Sequence, residues 1–88
     1  MKELKETIDG MTSDNYAERF VAEYNQTKIR HEKLKAFCDK IELAEVYHIG
    51  TAPEHTCPLN ILREQLRAMK AYLDILDKRA IIEGIVIE

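Results

Sequence analysis

Residues 59–80 read LNILREQLRAMKAYLDILDKRA, and this stretch decides the fold. Its apolar positions step by three and four residues without a break, the spacing that keeps one helical seam against a neighbouring helix. Pro58 fits the first turn of such a helix, because the missing N–H of proline costs nothing there, and Gly84 is typical of a helix end. The sequence therefore predicts a helix over 58–83. The seam positions are Leu59, Leu62, Leu66, Met69, Leu73, Leu76 and Ala80.

A second apolar stripe lies beside this seam on the same predicted helix. One stripe is enough to cover a partner helix of the same chain, so the other is left without an intramolecular partner. The tail 84–88 is also apolar, and docking on a neighbouring subunit would protect it from aggregation. We therefore expect a homo-oligomer, a dimer or larger, of helical hairpins. The stripe comprises Ile61, Ala68, Tyr72, Ile75 and Ile82, and it is interrupted by Gln65 and Arg79.

An earlier segment shows the same spacing, but the middle of its seam is polar. Asn15 and Glu18 stand at capping-box spacing, and no Gly or Pro follows before Gly50, so the sequence predicts a helix over 15–45. A buried polar layer can set the register of a helical interface, and it can equally line a ligand site. Both interpretations are open at this point. The seam positions are Phe20, Tyr24, Thr27, His31, Leu34, Cys38 and Ile41.

The remaining segments complete a single all-α domain over 1–88. Residues 2–9 are predicted to form a short helix that ends before Gly10, because their few apolar positions are four residues apart. Residues 46–57 are predicted to be a loop, with Gly50 as the terminator of the preceding helix. The predicted architecture is a short N-terminal helix and a long antiparallel two-helix hairpin that self-associates into a helical-bundle oligomer.

Composition and charge narrow the classes of function. The chain is 45% hydrophobic and 33% charged, with 3 Gly and 2 Pro, a balance that favours long helices. Its formal net charge is −3, so no global positive field would hold it on DNA, RNA or an anionic membrane. No stretch approaches the ~20 apolar residues of a membrane span, and the charged N-terminus lacks the apolar run of a signal peptide. We expect a cytoplasmic protein that binds neither membrane nor nucleic acid.

Metal binding and catalysis are both disfavoured by the spacing of the reactive residue types. The candidate metal ligands form no Cys-x-x-Cys or His-x3-His pair, and Cys57 near His55 has no third group to orient a thiolate dyad. No phosphate loop or nucleophile motif is present. We predict that the protein is not an enzyme and that it carries no metal and no cofactor. The metal-ligand types considered are His31, Cys38, His48, His55 and Cys57.

Local charge is more informative than any motif. The interval 28–40 holds five basic and two acidic residues, and 58–80 holds five basic and three acidic residues. Two such helices, packed together and paired with copies of themselves, would create a positive concavity suited to a small anion. Tyrosine faces can stack on a base and Arg binds phosphate bidentately, although core packing and solvation are the alternative explanations. The candidate ligand-binding residues are Tyr16, Tyr24, Thr27, Lys28, His31, Arg67, Tyr72 and Arg79.

Two stretches, YAERFVAEYNQTKIRHEKLKAF at 16–37 and CPLNILREQLRAMKAYLDILDKRAIIEGI at 57–85, resemble small phage-encoded proteins of crAss-like and related phages. The predicted layout is also similar to that of phage anti-CBASS proteins that act as cyclic-oligonucleotide sponges. This resemblance implies a non-catalytic oligomer in the host cell cytoplasm that sequesters a nucleotide second messenger between subunits. It also implies an aromatic residue against a base and Lys or Arg against phosphates.

The leading hypothesis is a phage counter-defence protein that binds and withholds a small nucleotide immune signal without cleaving it. The signal would be a cyclic oligonucleotide or a cyclic ADP-ribose-type molecule, held in a site enclosed between subunits. The hypothesis assigns base stacking to Tyr24 or Tyr16, phosphate pairing to Lys28, Arg67 or Arg79, and hydrogen bonds to ribose or a base edge to Thr27 and His31.

The alternative hypothesis is a helical protein-interaction module that inhibits or adapts a host protein. In that case the second apolar stripe, with Ile61, Ala68, Tyr72 and Ile75, is the binding face, and the basic residues serve only solubility.

Overall fold

The computed structural model describes residues 3–87, and all regular structure within them is helical. The all-α prediction is confirmed for these residues. Lys2 and Glu88, at the outer limits of the predicted first helix and tail, lie outside the described residues. The elements are a 3₁₀ turn, Leu4–Thr7, the short helix α1, Ile8–Met11, and two long helices, α2, Tyr16–Glu45, and α3, Leu59–Glu83.

The start of α2 is capped by Asn15, whose side chain accepts a hydrogen bond from the Glu18 backbone N–H at 3.1 Å. The reciprocal half of a capping box is absent here, because the Glu18 carboxylate bonds to the Ser13 hydroxyl instead. The Asn15 backbone N–H donates to the Ser13 hydroxyl at 3.0 Å. Ser13 therefore acts as a second cap, which satisfies groups that the helix leaves unpaired.

The loop between the long helices begins earlier than Gly50. The sequence predicts Gly50 as the terminator, but α2 ends at Glu45. The chain leaves the helical path at His48, which has a positive φ of 58°, and the Ile49 N–H then donates to the Leu43 carbonyl at 2.8 Å. This hydrogen bond closes the helix end, so that Gly50 contributes a later bend.

The two ends of α3 are set by Pro58 and Gly84. Pro58 is the N-cap rather than the first helical residue, and its carbonyl accepts from the Ile61 N–H at 3.1 Å. At the other end Gly84 has a φ of 70°, and the Ile85 N–H donates to the Ala80 carbonyl at 2.8 Å. This arrangement is a Schellman motif, which needs the left-handed conformation that glycine adopts without strain.

The helices α2 and α3 pack side by side and run in opposite directions. Arg63, one turn into α3, pairs with Asp39 near the end of α2 at 3.2 Å, while Tyr16 at the start of α2 bonds to Glu83 at the end of α3 at 2.9 Å. Leucines of the predicted α3 seam are buried where α3 packs on α2. The buried residues of the two helices include Phe20, Cys38, Ile41, Leu66, Leu73, Leu76 and Ala80.

A second face of α2 is covered by the N-terminal segment. Ala22, Asn25 and Ile29 are buried on this face, and Thr7 is buried opposite them. The sequence predicts a helix end before Gly10, but α1 continues through it. A Cβ at Gly10 would lie 2.7 Å from the Cβ of Ala22, so glycine is required here for close approach of the two helices.

The second apolar stripe of α3 is exposed in the single chain. Ile75 is 53% exposed and Ile82 is 82% exposed, and Tyr72 and Ile61 are also accessible to solvent. Within the described residues this stripe has no covering element, as one apolar face of α3 suffices to pack against α2.

Candidate ligand-binding site

A cationic groove runs along one side of the α2–α3 pair. It has a volume of ≈ 540 Å³, and Leu66 and Ala71 form its apolar floor. We call it the basic groove; its polar lining residues are His31, Lys35, Arg63, Arg67, Lys70 and Asp74. On α3 the three cations follow the spacing i, i+4 and i+7, which places them on one helix face.

Carboxylates balance most of the positive charge in the basic groove. Lys35 lies 3.0 Å from Asp39, Arg63 lies 3.2 Å from the same carboxylate, and Lys70 lies 2.6 Å from Asp74. The hydrogen bond from Lys35, with that from Arg63, lowers the pKa of Asp39. Arg67, by contrast, forms no ion pair with any of residues 3–87. Its guanidinium is therefore the uncompensated charge of the groove.

Two predicted residues extend the same face of α2 away from the basic groove. Lys28 precedes His31 by three residues and Tyr24 precedes it by seven, so the three share one helix face. Lys28 is exposed. Tyr24 is half-buried against the cluster of Phe20 and Leu76, and this burial, with a hydrogen bond to a carboxylate of α3, raises the pKa of its hydroxyl.

The opposite side of the helix pair holds Tyr16, Tyr72 and Arg79. Arg79 donates to the Tyr16 hydroxyl at 2.5 Å and to the Glu83 carboxylate at 2.9 Å, while the Tyr16 hydroxyl donates to Glu83 at 2.9 Å. Tyr72 donates to the carboxylate of Glu23. We call these five residues the tyrosine side.

Each polar group of the tyrosine side already has a partner. The hydrogen bond to Glu83 raises the pKa of Tyr16, and the bonds from Tyr16 and Arg79 lower the pKa of Glu83. The Arg79 guanidinium also lies over the ring of Phe20, 5.1 Å from its centroid, where a cation–π attraction holds it. Two of the three guanidinium nitrogens of Arg79 are therefore already engaged, by Glu83 and Tyr16.

The structure thus divides the predicted site residues between two sides of one chain. His31 and Arg67 meet in the basic groove, whereas Tyr16 and Arg79 meet on the tyrosine side. Thr27 lies half-buried on the α2 seam between the two sides. A single chain does not bring all eight predicted residues to one ligand.

Residues 14–82 match the model of the Sequestin family. The chain belongs to the Sequestin family. The family name indicates the sequestration of a ligand, which is a binding role rather than a catalytic one. Neither a curated protein nor a solved structure is significantly similar to the chain.

The Sequestin match contains the whole basic groove and all but one residue of the tyrosine side. It begins after α1 and ends at Ile82, so Glu83 and the residues that cover the second face of α2 lie outside it. The basic groove therefore lies within the range that the family model matches. Among residues 3–87, no helix is long and apolar enough to cross a membrane.

Sequence reasoning counted Lys35, Arg63 and Lys70 as local charge but did not assign them to the site. The spacing of the α3 cations would have placed them beside Arg67. Asn25 was not assigned to a site, although its spacing to Ala22 and Ile29 places it on one helix face with two apolar residues that are buried.

The metal-ligand types are dispersed within the part of the chain that the structure describes, where no three His, Cys, Asp or Glu side chains form a metal site. The His55 ring bonds through Nδ1 to the Pro53 carbonyl at 2.8 Å and packs edge-on against Phe37. Cys38 is fully buried, and burial raises the pKa of its thiol. Both residues therefore hold structure in place: His55 fixes the loop and Cys38 fills the core.

Proposed function

We propose that this Sequestin-family chain is a phage counter-defence protein that binds and withholds a small nucleotide immune signal without cleaving it. The signal is a cyclic oligonucleotide or a cyclic ADP-ribose-type molecule, and it is met in the host cell cytoplasm. The observation that carries the proposal is the cationic groove within the family-matched range, with Arg67 as its uncompensated charge.

Phosphate binding is assigned to the basic groove. Arg67 offers a planar pair of N–H donors that suits two phosphate oxygens. The side chains of Lys70 and Asp74 are more than half exposed, and an exposed ion pair of this kind contributes little stability. Lys70 is therefore able to exchange Asp74 for a phosphate at small cost, and Lys28 adds a further exposed cation one turn away along α2.

The sugar and the base are assigned to the part of α2 that precedes the groove. His31 lines the groove and Thr27 lies one turn before it, so both are within reach of ribose hydroxyls or a base edge. Tyr24 lies about one turn before Thr27 on the same side of α2, and its ring would contact a base by its edge or by stacking. Binding without reaction is enough for this role, and the proposal needs no nucleophile.

Self-association of the hairpin completes the proposed site. The exposed stripe with Ile75 borders the tyrosine side, and covering it with a second copy would bury apolar surface. Tyr16 and Tyr72 would then lie near the subunit interface, where their rings could contact a ligand held by the groove of the neighbouring copy, while Arg79 stays bonded to Glu83. A ligand enclosed between subunits is released slowly, as withholding a signal requires.

Thermal denaturation with a ligand panel tests this proposal. The panel contains cyclic dinucleotides, cyclic trinucleotides and cyclic ADP-ribose isomers. A ligand at 100 times its Kd adds about 2.7 kcal/mol to the unfolding free energy by mass action, and the melting temperature of a domain of this size should rise by roughly 11–22 °C. No rise with any member at high concentration contradicts the proposal.

A matched pair of double variants locates the site. Arg67→Gln with Lys70→Gln removes two groove cations, whereas Lys40→Gln with Lys78→Gln removes two exposed cations outside the groove. The groove variant should lose the thermal shift and the control should keep it. Equal loss in both variants would show that only net charge matters.

The exposure of the α3 stripe also supports the alternative function, a protein-interaction module that inhibits or adapts a host protein. Light scattering separates the two assignments. Self-association that is lost in an Ile75→Arg variant supports the enclosed ligand site, and a monomer that shows no ligand response favours the interaction module.

A further inference from the structure

A second cavity, of ≈ 820 Å³, lies away from the basic groove, where the N-terminal segment, the first turns of α2 and the chain after α3 meet. We call it the acidic pocket. Its polar lining includes Asn25 and the carboxylates of Glu6, Glu18 and Glu83, and its apolar lining includes Val21 and Ile85. Except for parts of α2, these walls lie outside the range matched by the Sequestin family.

Asn25 is the unusual residue of this pocket. It is only 8% exposed, yet its side-chain amide makes no hydrogen bond with any of residues 3–87. No fully enclosed polar side-chain atom among residues 3–87 lacks a partner, so the Asn25 amide keeps some access to solvent, and Asn25 lines the pocket. A nearly buried amide that keeps both its donor and its acceptor free is poised for a ligand.

Charge decides which ligands the acidic pocket accepts. Among residues 3–87 its lining contains Glu6, Glu18 and Glu83 and no Lys or Arg, and only Glu83 is paired with a cation, Arg79, so the pocket disfavours a phosphate. Carboxylate oxygens are hydrogen-bond acceptors, and they favour ligands that carry amino groups. Val21 and Ile85 supply apolar surface of the kind that covers the face of a flat ring.

We propose that the acidic pocket binds an amino-bearing nucleobase or its nucleoside. The Asn25 amide matches the adjacent donor and acceptor of an adenine edge, the pairing that Asn also makes with adenine in nucleic acids. The carboxylate of Glu18 or Glu6 accepts from the remaining amino hydrogen. This inference rests on the proposed function for the choice of a nucleobase, and it adds a second base-binding site, separate from the one assigned to Tyr24, Thr27 and His31.

Calorimetric titration with adenosine and inosine tests the acidic pocket, since neither contains a phosphate. Inosine differs from adenosine at the base edge, where an oxo group replaces the amino group. We expect saturable binding of adenosine at least about tenfold tighter than that of inosine, because the wrong edge leaves buried polar groups unpaired. Absence of adenosine binding at millimolar concentration, or equal affinity for inosine, would overturn the proposal.

Variants then locate the binding. Asn25→Asp removes the amide donor at constant size and should abolish adenosine binding. Val86→Trp fills the pocket from a residue that is 79% exposed, so it leaves the folded core intact and should weaken binding as well. Arg67→Gln should leave adenosine affinity unchanged. Adenosine binding that survives both pocket variants, or that is lost with Arg67→Gln, contradicts the assignment.

The two proposals fail separately. If the cyclic nucleotides bind through Arg67 and adenosine does not bind, the acidic pocket is wrong and the proposed function stands. If adenosine binds through Asn25 and no cyclic nucleotide binds, the pocket stands without the sequestering function.

Discussion

The basic groove and the tyrosine side are built from the same kinds of residue and differ in which carboxylates face them. Glu83 lies one turn after Arg79 on α3 and accepts a hydrogen bond from it. The Tyr16 hydroxyl of α2 accepts a second hydrogen bond from Arg79. Arg67 has no such partner within residues 3–87, since the nearby carboxylates are engaged by Lys35, Arg63 and Lys70. The tyrosine side is therefore arranged for structure, whereas the groove retains charge for an anion.

This difference shows that a Lys or Arg on a helix indicates an anion site only when no nearby carboxylate pairs with it. An exposed Arg with a carboxylate at i+4 is satisfied by an ion pair of modest strength. An Arg without a carboxylate partner keeps its positive charge uncompensated and all five N–H donors available. The following predictions compare the two sides, from the largest expected effect to the smallest.

Leu76→Ala should destabilise both sides together. Leu76 is 1% exposed and belongs to the cluster that holds the start of α2 on α3. Deletion of its buried atoms should lower the unfolding free energy by about 2–5 kcal/mol, measured by urea denaturation. The neighbouring variant Lys78→Ala, at an exposed position, should change stability by less than about 0.5 kcal/mol. Similar losses in the two variants would contradict the described packing.

Arg67→Gln should weaken binding of the nucleotide ligand, whereas Arg79→Gln should not. Loss of a charged hydrogen bond of about 1.5–3 kcal/mol corresponds to a roughly tenfold to hundredfold rise in Kd. Isothermal titration with the ligand found in the panel measures both variants. A larger effect at Arg79 would reverse the comparison and move the phosphate site to the tyrosine side.

The double variant Thr27→Leu with His31→Leu separates a ligand site from a register device. We expect ligand affinity to fall by about tenfold or more, since two hydrogen-bonding groups are lost, while the melting temperature does not decrease. Titration and thermal denaturation measure the two quantities. Retained affinity together with a changed oligomer size, measured by light scattering, would assign the polar seam to register.

Low pH should reduce the stability that the Glu83 carboxylate contributes on the tyrosine side. The pKa of Glu83 is lowered in the folded state, so its contribution to stability is present above its ordinary value of 4.5 and is lost as the pH falls through the folded pKa. The stability difference between the wild type and Glu83→Gln should therefore be constant near neutral pH and shrink below pH 4.5. Urea denaturation at several pH values measures it, and a difference that grows in acid would contradict the assignment.

Much of the fold was predictable from local pattern. The uninterrupted apolar spacing of α3 identifies Leu66, Leu73 and Leu76 as buried, because a helix of 3.6 residues per turn places them on one face. Asn15 was predictable as a cap from its spacing to Glu18. The role of Gly10 was not, because the close approach to Ala22 depends on a contact between segments that no local pattern encodes.

The candidate site was predictable only in part. His31 and Arg67 were identified by residue type and meet in one groove, although Tyr16 and Arg79, identified by the same reasoning, lie on the other side. The helix period separates Arg67 from Arg79 on α3, but it does not show which α2 residues lie beside each of them. The period gives the face of each residue on its own helix, but the identity of the facing residues depends on how α2 and α3 are rotated against each other.

By itself the sequence determined that the regular structure of residues 3–87 is helical and that α3 carries a second apolar stripe beside the seam that it buries. Hydrogen bonds within a helix join residues four apart, and the spacing of apolar residues shows which face of the helix is apolar. Both can be read from the sequence. Only the tertiary structure decided that Tyr16 joins the Arg79–Glu83 pair, that Arg67 has no ion-pair partner within residues 3–87, and that Asn25 lines a pocket. These relations join residues distant in the sequence, and they depend on the relative rotation and close packing of the helices.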